Sequence, residues 1–389
     1  MKHLAKTTLL LAPFVMTLGL PGAATAADGS TWVQVGEEVP VHGAIKGIAT
    51  VGCKVWIVGE SDEEDSGGTP TLAFSANGGR TWKEQTAPKG DVTLDVVRMT
   101  DAKYGWAVGE PQEHVGYSVT YDYFYTDTRG PGTIFRTTDG GKTWKDQTGL
   151  PTPPASTASE DFEGLSAISR TEAWIAVSTY DYDDDQQFLG ESGRILHTTN
   201  AGQTWTDQAL PTAGTPVADV HVDKDGKHGW AVTDNGDIWV TVNGGNTWKV
   251  QRVGGYIGES LRPESLERLE FSGLRNGVAV GDSGLILRTT DGGKHWTRTP
   301  VAYSYDLKDV AFVDASRVWV VGEDVSTIIG TDGTSLTKAV VLQSEDGGKF
   351  FNVDRLPESD NMSAVAPLPK PGAIAAGTEA QVLRTQSRC

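Results

Sequence analysis

Two stretches of this 389-residue sequence gather side chains able to do chemistry. The first holds Tyr117, Tyr121, Asp122, Tyr123, Tyr125, Asp127 and Arg129; the second holds Tyr180, Asp181, Tyr182, Asp183, Asp184 and Asp185. Aromatic faces beside carboxylates suit two tasks, stacking on a sugar ring while binding its hydroxyls, and capture of a cationic protein segment. A solvated, decorated loop has the same composition. Asp181, Asp183 and Asp185 also alternate in a spacing that can wrap oxygen ligands around calcium, but an EF-hand loop needs glycine and glutamate where Gln186 and Ser192 stand. That leaves an irregular calcium site, completed by Glu191 or the acids of the first stretch, as the one metal the pattern admits. No zinc or thiol-nucleophile pattern and no other cofactor motif is present.

Such loops need a rigid support, and the sequence supplies it as a repeat. SANGGRTW (75–82), TTDGGKTW (137–144), TTNAGQTW (198–205), TVNGGNTW (241–248), TTDGGKHW (289–296) and the degenerate SEDGGKFF (344–351) share one pattern. Asx followed by small residues that accept positive φ is what a tight hairpin requires, so Asn77, Asp139, Asn200, Asn243, Asp291 and Asp346 read as structural turn residues. Upstream lie a second recurring segment (VWIVGE at 55–60, GWAVGE at 105–110, AWIAVS at 173–178) and, before it, another apolar run. Four strands per repeat follow, named A to D, with the Asx turn joining C to D.

Complete sets are expected at 44–86, 94–148, 165–208, 217–251, 267–299 and 308–353. The tail, 363–389, supplies A, B and C only, whereas TWVQVG (31–36) is a strand D with nothing before it. Joining the two makes a seventh blade and leaves no open seam. The expected fold is therefore all-β: a seven-bladed β-propeller of four antiparallel strands per blade, one domain over 27–389, its C-terminal blade completed by the N-terminal strand. Eleven of the twelve tryptophans fall in strand B or at the start of strand D and read as core; Trp239, in strand C, is the exception. Cys53 falls in the A-to-B turn of the first blade and Cys389 at the missing turn of the seventh, on one face and in neighbouring blades, so a disulfide between them is expected.

Lys2 and Lys6 precede an apolar run, and Ala24-Thr25-Ala26 offers small residues for cleavage, so residues 1–26 read as a signal peptide. Periplasmic or secreted localisation is expected. A formal charge of −18 argues against nucleic acid or anionic membrane as partners and in favour of cationic ones. A monomer is expected.

The Asx turn is the Asp box, or BNR-type repeat, shared with sialidases and xyloglucanases. There it is structural and lies away from the catalytic centre. The longer unit, GWAVGE followed by TIFRTTDGGKTW (133–144), resembles the photosystem II assembly and stability factor family of seven-bladed propellers over about 31–389. The resemblance implies a non-enzymatic assembly factor that grips a membrane-embedded protein partner through an arginine-rich patch. Arg136, Arg288 and Arg384 hold the matching strand-C positions, and Phe74, His197, Val240 and Gln343 occupy the others. The more distant likeness to sialidase-type propellers implies carbohydrate binding or glycosidase activity as the alternative, although no arginine-bearing N-terminal signature of that class is present.

Insertions give the ring a polarity. Long B-to-C loops (60–71, 110–132, 178–193, 323–338) and long D-to-A connections (149–164, 252–266) all emerge on one face, while the other is nearly uniform turn. The tyrosine- and aspartate-rich stretches both lie on this loop face, which is the expected binding face. Glu60, Glu110, Asp282 and Glu323, at the ends of strand B, could point inward there as a ring of carboxylates.

Overall fold

The computed structural model describes residues 24–25, 31–35, 39–40, 43–60, 70–86, 92–110, 114–118, 123–127, 131–147, 149–151, 158–183, 188–257, 262–329, 335–356, 361–369, 372–378, 380–385 and 387–389. Every regular element among them is a β-strand. Blade one comprises strands A to D at Ile45–Val51, Lys54–Gly59, Thr71–Ser75 and Lys83–Glu84. Blade two uses Leu94–Met99, Gly105–Gly109, Thr133–Thr137 and Trp144–Asp146. Blade three uses Ala158–Ala167, Ala173–Tyr182, Phe188–Thr198 and Thr206–Asp207. Blade four uses Val217–Val222, Gly229–Thr233, Ile238–Thr241 and Lys249–Arg252. Blade five uses Arg268–Ser272, Asn276–Gly281, Leu285–Thr289 and Thr297–Arg298. Blade six uses Tyr305–Phe312, Val318–Ile329, Ser335–Ser344 and Asn352–Leu356.

The seventh sheet combines both ends of the chain. Met362–Pro367, Ala373–Gly377 and Val382–Arg384 are its strands A to C, and Thr31–Gln34 pairs antiparallel with the last of them, Val33 facing Arg384. Ala24–Thr25 pairs in turn with Thr31 and Trp32. Each strand A packs on the strand A of the next blade, and that of blade seven packs on that of blade one, so the inner strands close a ring.

Apolar side chains between neighbouring sheets form the core. Trp56, Val58 and Leu72 of blade one meet Leu94, Val97, Phe135 and Trp144 of blade two in one buried cluster. The pattern repeats around the ring, and the strand-B residues Trp56, Trp106, Trp174, Trp230 and Trp319 are all buried, as is Trp239 of strand C. At the closure, Trp32 stands edge-on to Trp319 with ring centroids 5.2 Å apart.

The Asp-box turns owe their shape to a small hydrogen-bond set. Thr137 Oγ1 donates to Asp139 Oδ1 (3.0 Å) and accepts from Gly141 N (2.8 Å), while Asp139 Oδ1 also accepts from Thr143 N (2.9 Å). The same set recurs around Asn77, Asn200, Asn243, Asp291 and Asp346. Gly140 and Gly141 carry φ of 80° and 84°, and a Cβ on Gly141 would lie 2.2 Å from Gln85 Oε1 of the preceding blade. The two glycines thus serve both the turn and the seam between blades.

Two insertions differ from the expected loops. In blade three, strand A begins at Ala158 rather than near residue 165, and strands B and C run on to Tyr182 and from Phe188. In blade six, B and C extend to Ile329 and from Ser335. In both blades the insertion lengthens the sheet itself, because continued pairing satisfies backbone groups that a free loop would leave to solvent. In blade two, His114–Ser118 pairs with Tyr123–Asp127 as a separate hairpin. Blades three and six stand as far apart as a seven-membered ring allows, so their long hairpins flank the loop face.

Candidate functional site

The three arginines of the implied patch lie in the seams between blades, on the Asp-box side. Arg288 of blade five donates to Gly347 O of blade six (2.7 Å), and Arg384 of blade seven donates to Gly78 O of blade one (2.8 Å) and to Ser387 Oγ (2.7 Å). Both acceptor carbonyls belong to the first glycine of an Asp box. The same carbonyl in other boxes takes the indole N–H of strand B: Trp56 bonds Gly140 O (2.9 Å), Trp174 bonds Gly244 O (3.4 Å) and Trp230 bonds Gly292 O (3.3 Å).

The B and C residues involved are cross-strand neighbours, Trp56 with Phe74, Trp230 with Val240, Val278 with Arg288 and Ile374 with Arg384. One locking position is therefore filled either by a tryptophan from B or by an arginine from C. In blade two both are present; Arg136 lies over Trp106 (5.4 Å) and donates to Arg170 O of blade three (3.0 Å). His197 instead stacks on Trp174 at 4.2 Å. At the seam of blades seven and one, Cys53 and Cys389 form a disulfide. Much of the polar capacity of this face is committed to holding the ring together.

On the loop face, Tyr121, Asp122 and Arg129 lie outside the described residues, as does Asp185; Tyr123 and Tyr125 belong to the blade-two hairpin, with Tyr123 opposite Ser118 and Tyr125 opposite Gly116. Tyr180, Asp181 and Tyr182 extend strand B of blade three, and Asp183 follows them. Tyr182 meets Phe188 across the hairpin, and Phe188 and Leu189 are exposed at its tip. Among the described residues no group of three or more His, Cys, Asp or Glu side chains is placed to hold a metal ion.

The charged chemistry converges at the mouth of the central channel. In six blades strand A carries a bulge just after a deeply buried apolar side chain: after Ile45, Leu94, Phe162, Val217, Leu307 and Met362. The bulged residues are Lys46, Asp95, Glu163, Ala218, Lys308 and Ser363, and Glu267 holds the equivalent place after Leu266 in blade five. A bulge re-aims the extra side chain. Here it sends one residue per blade to the channel mouth.

Two of these residues are lysines held among carboxylates. Lys46 Nζ lies 3.4 Å from Asp95, 3.7 Å from Glu110 and 3.8 Å from Glu60. Lys308 Nζ lies 3.6 Å from both Glu267 and Asp282. Three of the four strand-B carboxylates expected to ring the channel thus face inward paired with lysine, and Glu323 is among the charges felt by Lys308. Deeper in, Asp219 accepts from Leu269 N (3.0 Å) and Asp309 from Val365 N (2.8 Å), each tying its strand A to the next blade. Arg268 and Arg98 both feel Asp219 and Asp309 as counter-charges.

Blade three departs from this balance. Asp161 and Glu163, on its strand A, make no side-chain hydrogen bond or ion pair among the described residues. Burial, with the nearby Glu110 and Asp95 charges, raises the Asp161 carboxyl to about 7. Burial raises Glu163 to about 8, against the pull of Arg268 and with the push of Asp95, Asp161 and Glu267. Tyr180 beside them is raised to about 12 by burial and by the same two acids, and Asp234 to about 6 by burial and Glu191. This arc is rich in carboxyl groups and poor in cations. It was missed in the sequence because residues 158–164 looked like a polar connection; the available signal was the register, since Glu163 follows buried Phe162 as Lys46 follows Ile45.

Residues 203–304 match the model of the photosynthesis system II assembly factor YCF48 family. The chain is 24% identical over 294 residues to the photosystem II stability/assembly factor HCF136 of Arabidopsis thaliana, covering 65% of this chain and 69% of that protein. It is 27% identical over 243 residues to the photosystem II assembly lipoprotein Ycf48 of Synechococcus sp. (strain CC9902), covering 51% and 67%. Its fold is similar to that of YCF48 bound to D1 peptide, with a TM-score of 0.60, 18% identity, and coverage of 96% of this chain and 100% of that one. The WD40 propeller domain of Doa1 is similar at a TM-score of 0.54 and 12% identity, over 94% and 97% of the two chains. By repeat, sequence similarity and fold, the chain is a β-propeller similar to the photosystem II assembly factors.

Proposed function

We propose that the chain is an exported, non-catalytic assembly factor that binds another exported or membrane-embedded protein through the loop face of the ring, residues 1–26 being removed as a leader. The observation that carries this reading is the division of labour between the faces. Arg288, Arg384 and the strand-B indoles of Trp56, Trp174 and Trp230, on the Asp-box side, are spent on backbone carbonyls of the next blade. The loop side presents the lengthened hairpins of blades three and six around a charged channel mouth. Functional residues commonly sit on segments that project from a rigid scaffold. The names of the relatives, stability and assembly factors, and a similar propeller solved with a peptide of a protein partner, point the same way.

Affinity capture from the native envelope, run beside a glycan array, tests the proposal. It expects one membrane protein to be enriched by the intact chain and lost when the blade-six hairpin is cut back to the length of its neighbours. Strong glycan binding with no protein enriched would overturn it.

A further inference from the structure

We infer that the channel mouth beside blades three and four is a receptor for one cationic group of the partner protein, a lysine ammonium or arginine guanidinium, with Glu163 and Asp161 as its counter-charges. The inference rests on the reading of the loop face as the docking surface and names the chemistry it selects.

The argument is internal to the ring. Lys46 of blade one stands beside Asp95 of blade two at 3.4 Å, and Lys308 of blade six beside Glu267 of blade five at 3.6 Å. At both places an acid at this position of one strand A is neutralised by a lysine at the same position of the adjacent blade. Glu163 of blade three has Ala218 as the corresponding residue of blade four, a methyl group where a lysine would reach. The lysine is missing at this place, and the cations whose charge reaches the two acids, Arg268 and Lys46, are shared with Asp219, Asp309 and Glu267 and with Asp95, Glu110 and Glu60.

Glu163 is half-buried, with part of its side chain open to the channel. Neither it nor Asp161 has a hydrogen-bonding or ion-pairing side-chain partner among the described residues, although buried carboxylates are ordinarily paired. Tyr180, protonated at neutral pH, adds an aromatic edge to the same place. An incoming ammonium or guanidinium gains two partly desolvated counter-charges, and the carboxyls give up to solvent any proton they hold. Affinity should therefore rise with pH. The exposed Phe188 and Leu189 at the hairpin tip offer apolar contact to the residues flanking the cation.

The test uses tetralysine as the probe, titrated calorimetrically into the full chain at pH 6 and pH 8.5. The expected result is tighter binding at pH 8.5, weakened at least tenfold in the Glu163→Gln/Asp161→Asn variant. An Ala218→Lys variant, in which the chain supplies the cation itself, should weaken binding to a similar extent. The Glu84→Gln/Glu345→Gln variant removes the same formal charge from exposed positions away from the channel and should bind like the parent. Equal binding by all four proteins, or equal loss in the two double variants, would overturn the inference in favour of general attraction to an acidic surface. Thermal melting of each variant shows whether it is folded.

A photo-crosslinker at Phe188, used in the native envelope, separates this inference from the reading it rests on. A product that survives Glu163→Gln/Asp161→Asn and Ala218→Lys keeps the loop face as the docking surface and sinks the cation receptor. A product lost in both supports the receptor. Absence of any product from the parent protein removes the loop-face reading and the inference together.

Discussion

Arg384 and Gly78 lie 306 residues apart in sequence, yet the arginine donates to the glycine carbonyl at 2.8 Å. The bond joins the last blade to the first, beside the place where the two ends of the chain meet in blade seven. Beside it Gly78 N donates to Cys53 O at 2.7 Å, and Cys53 is bonded through sulfur to Cys389. The arginine does here what Trp56, Trp174 and Trp230 do at three other seams.

Arg384→Ala should therefore destabilise the ring as a whole. A hydrogen bond from a charged donor contributes about 1.5–3 kcal/mol, and its loss leaves the Gly78 carbonyl short of a donor. Cys53→Ser removes a crosslink spanning nearly the entire chain, for which a cost of about 2–5 kcal/mol is typical. Chemical denaturation of both single variants and the double variant measures the two effects. Because the groups share one seam, the double variant should lose less than the sum of the singles.

The neighbouring seam, between blades six and seven, predicts the effect of Trp32. It is 2% exposed, edge-on to Trp319 and part of the cluster joining blades six and seven. Trp32→Ala should cost about 3–5 kcal/mol, as for large aromatic truncations in cores. Deleting residues 27–40 should cost more, since it also strips the outer strand from blade seven. A truncated chain that melts like its parent would show that closure does not depend on this strand.

At the Asp-box positions the prediction concerns backbone shape. Gly141→Ala places a methyl group where φ is 84° and where Gln85 already packs. Asn and Asp tolerate such φ better than alanine, but no side chain avoids the contact with Gln85. The variant should melt lower than Asp139→Asn, because asparagine keeps the turn in three other boxes of this chain, at Asn77, Asn200 and Asn243. Differential scanning calorimetry of the two variants under one condition ranks them.

Much of this architecture was legible because it repeats. Six Asx-Gly-type turns at fixed distance from an apolar strand fix blade number, strand order and the orphan strand at 31–36, and each of these features is present in the fold. Positions whose meaning depends on the neighbouring blade were harder to read. Arg136, Arg288 and Arg384 look like one patch in sequence, but their bonds are set by which residue faces them across strands B and C and which carbonyl comes round from the next turn. Asp161 and Glu163 were hidden for a related reason. A bulge at Glu163 breaks the alternation of strand A, and three acids in four residues suggested a connection, although Phe162 between them is fully buried. Nothing local says that the following blade offers Ala218 rather than a lysine at the equivalent position.

Those two acids give the stability of the fold a pH dependence of unusual sign. Glu163 rises from an ordinary 4.5 to about 8 in the folded chain, and Asp161 from 3.8 to about 7, burial being the first cause in each. A carboxyl raised on folding holds its proton more tightly in the native state, so between the two values the native state binds more protons than the unfolded one. Stability then falls as pH rises. The contribution is fully present below about pH 4 and is lost through pH 7 and 8. Groups lowered on folding act in the opposite sense at more acid pH; Asp324, held near 2 by hydrogen bonds from Ser304, Ser326 and Arg355 despite partial burial, is one. The Glu163→Gln/Asp161→Asn variant should therefore melt about a few degrees above the parent at pH 8.5, on the scale that a change of about 1–2 kcal/mol gives in a chain of this size. At pH 5, where the parent's own carboxyls are largely protonated, the difference should shrink or vanish. Thermal melts of both proteins at half-unit steps from pH 5 to pH 9 decide the matter. Parallel curves would mean that the two acids already find a counter-charge in the folded chain, and that the arc at blade three is balanced like the rest of the ring.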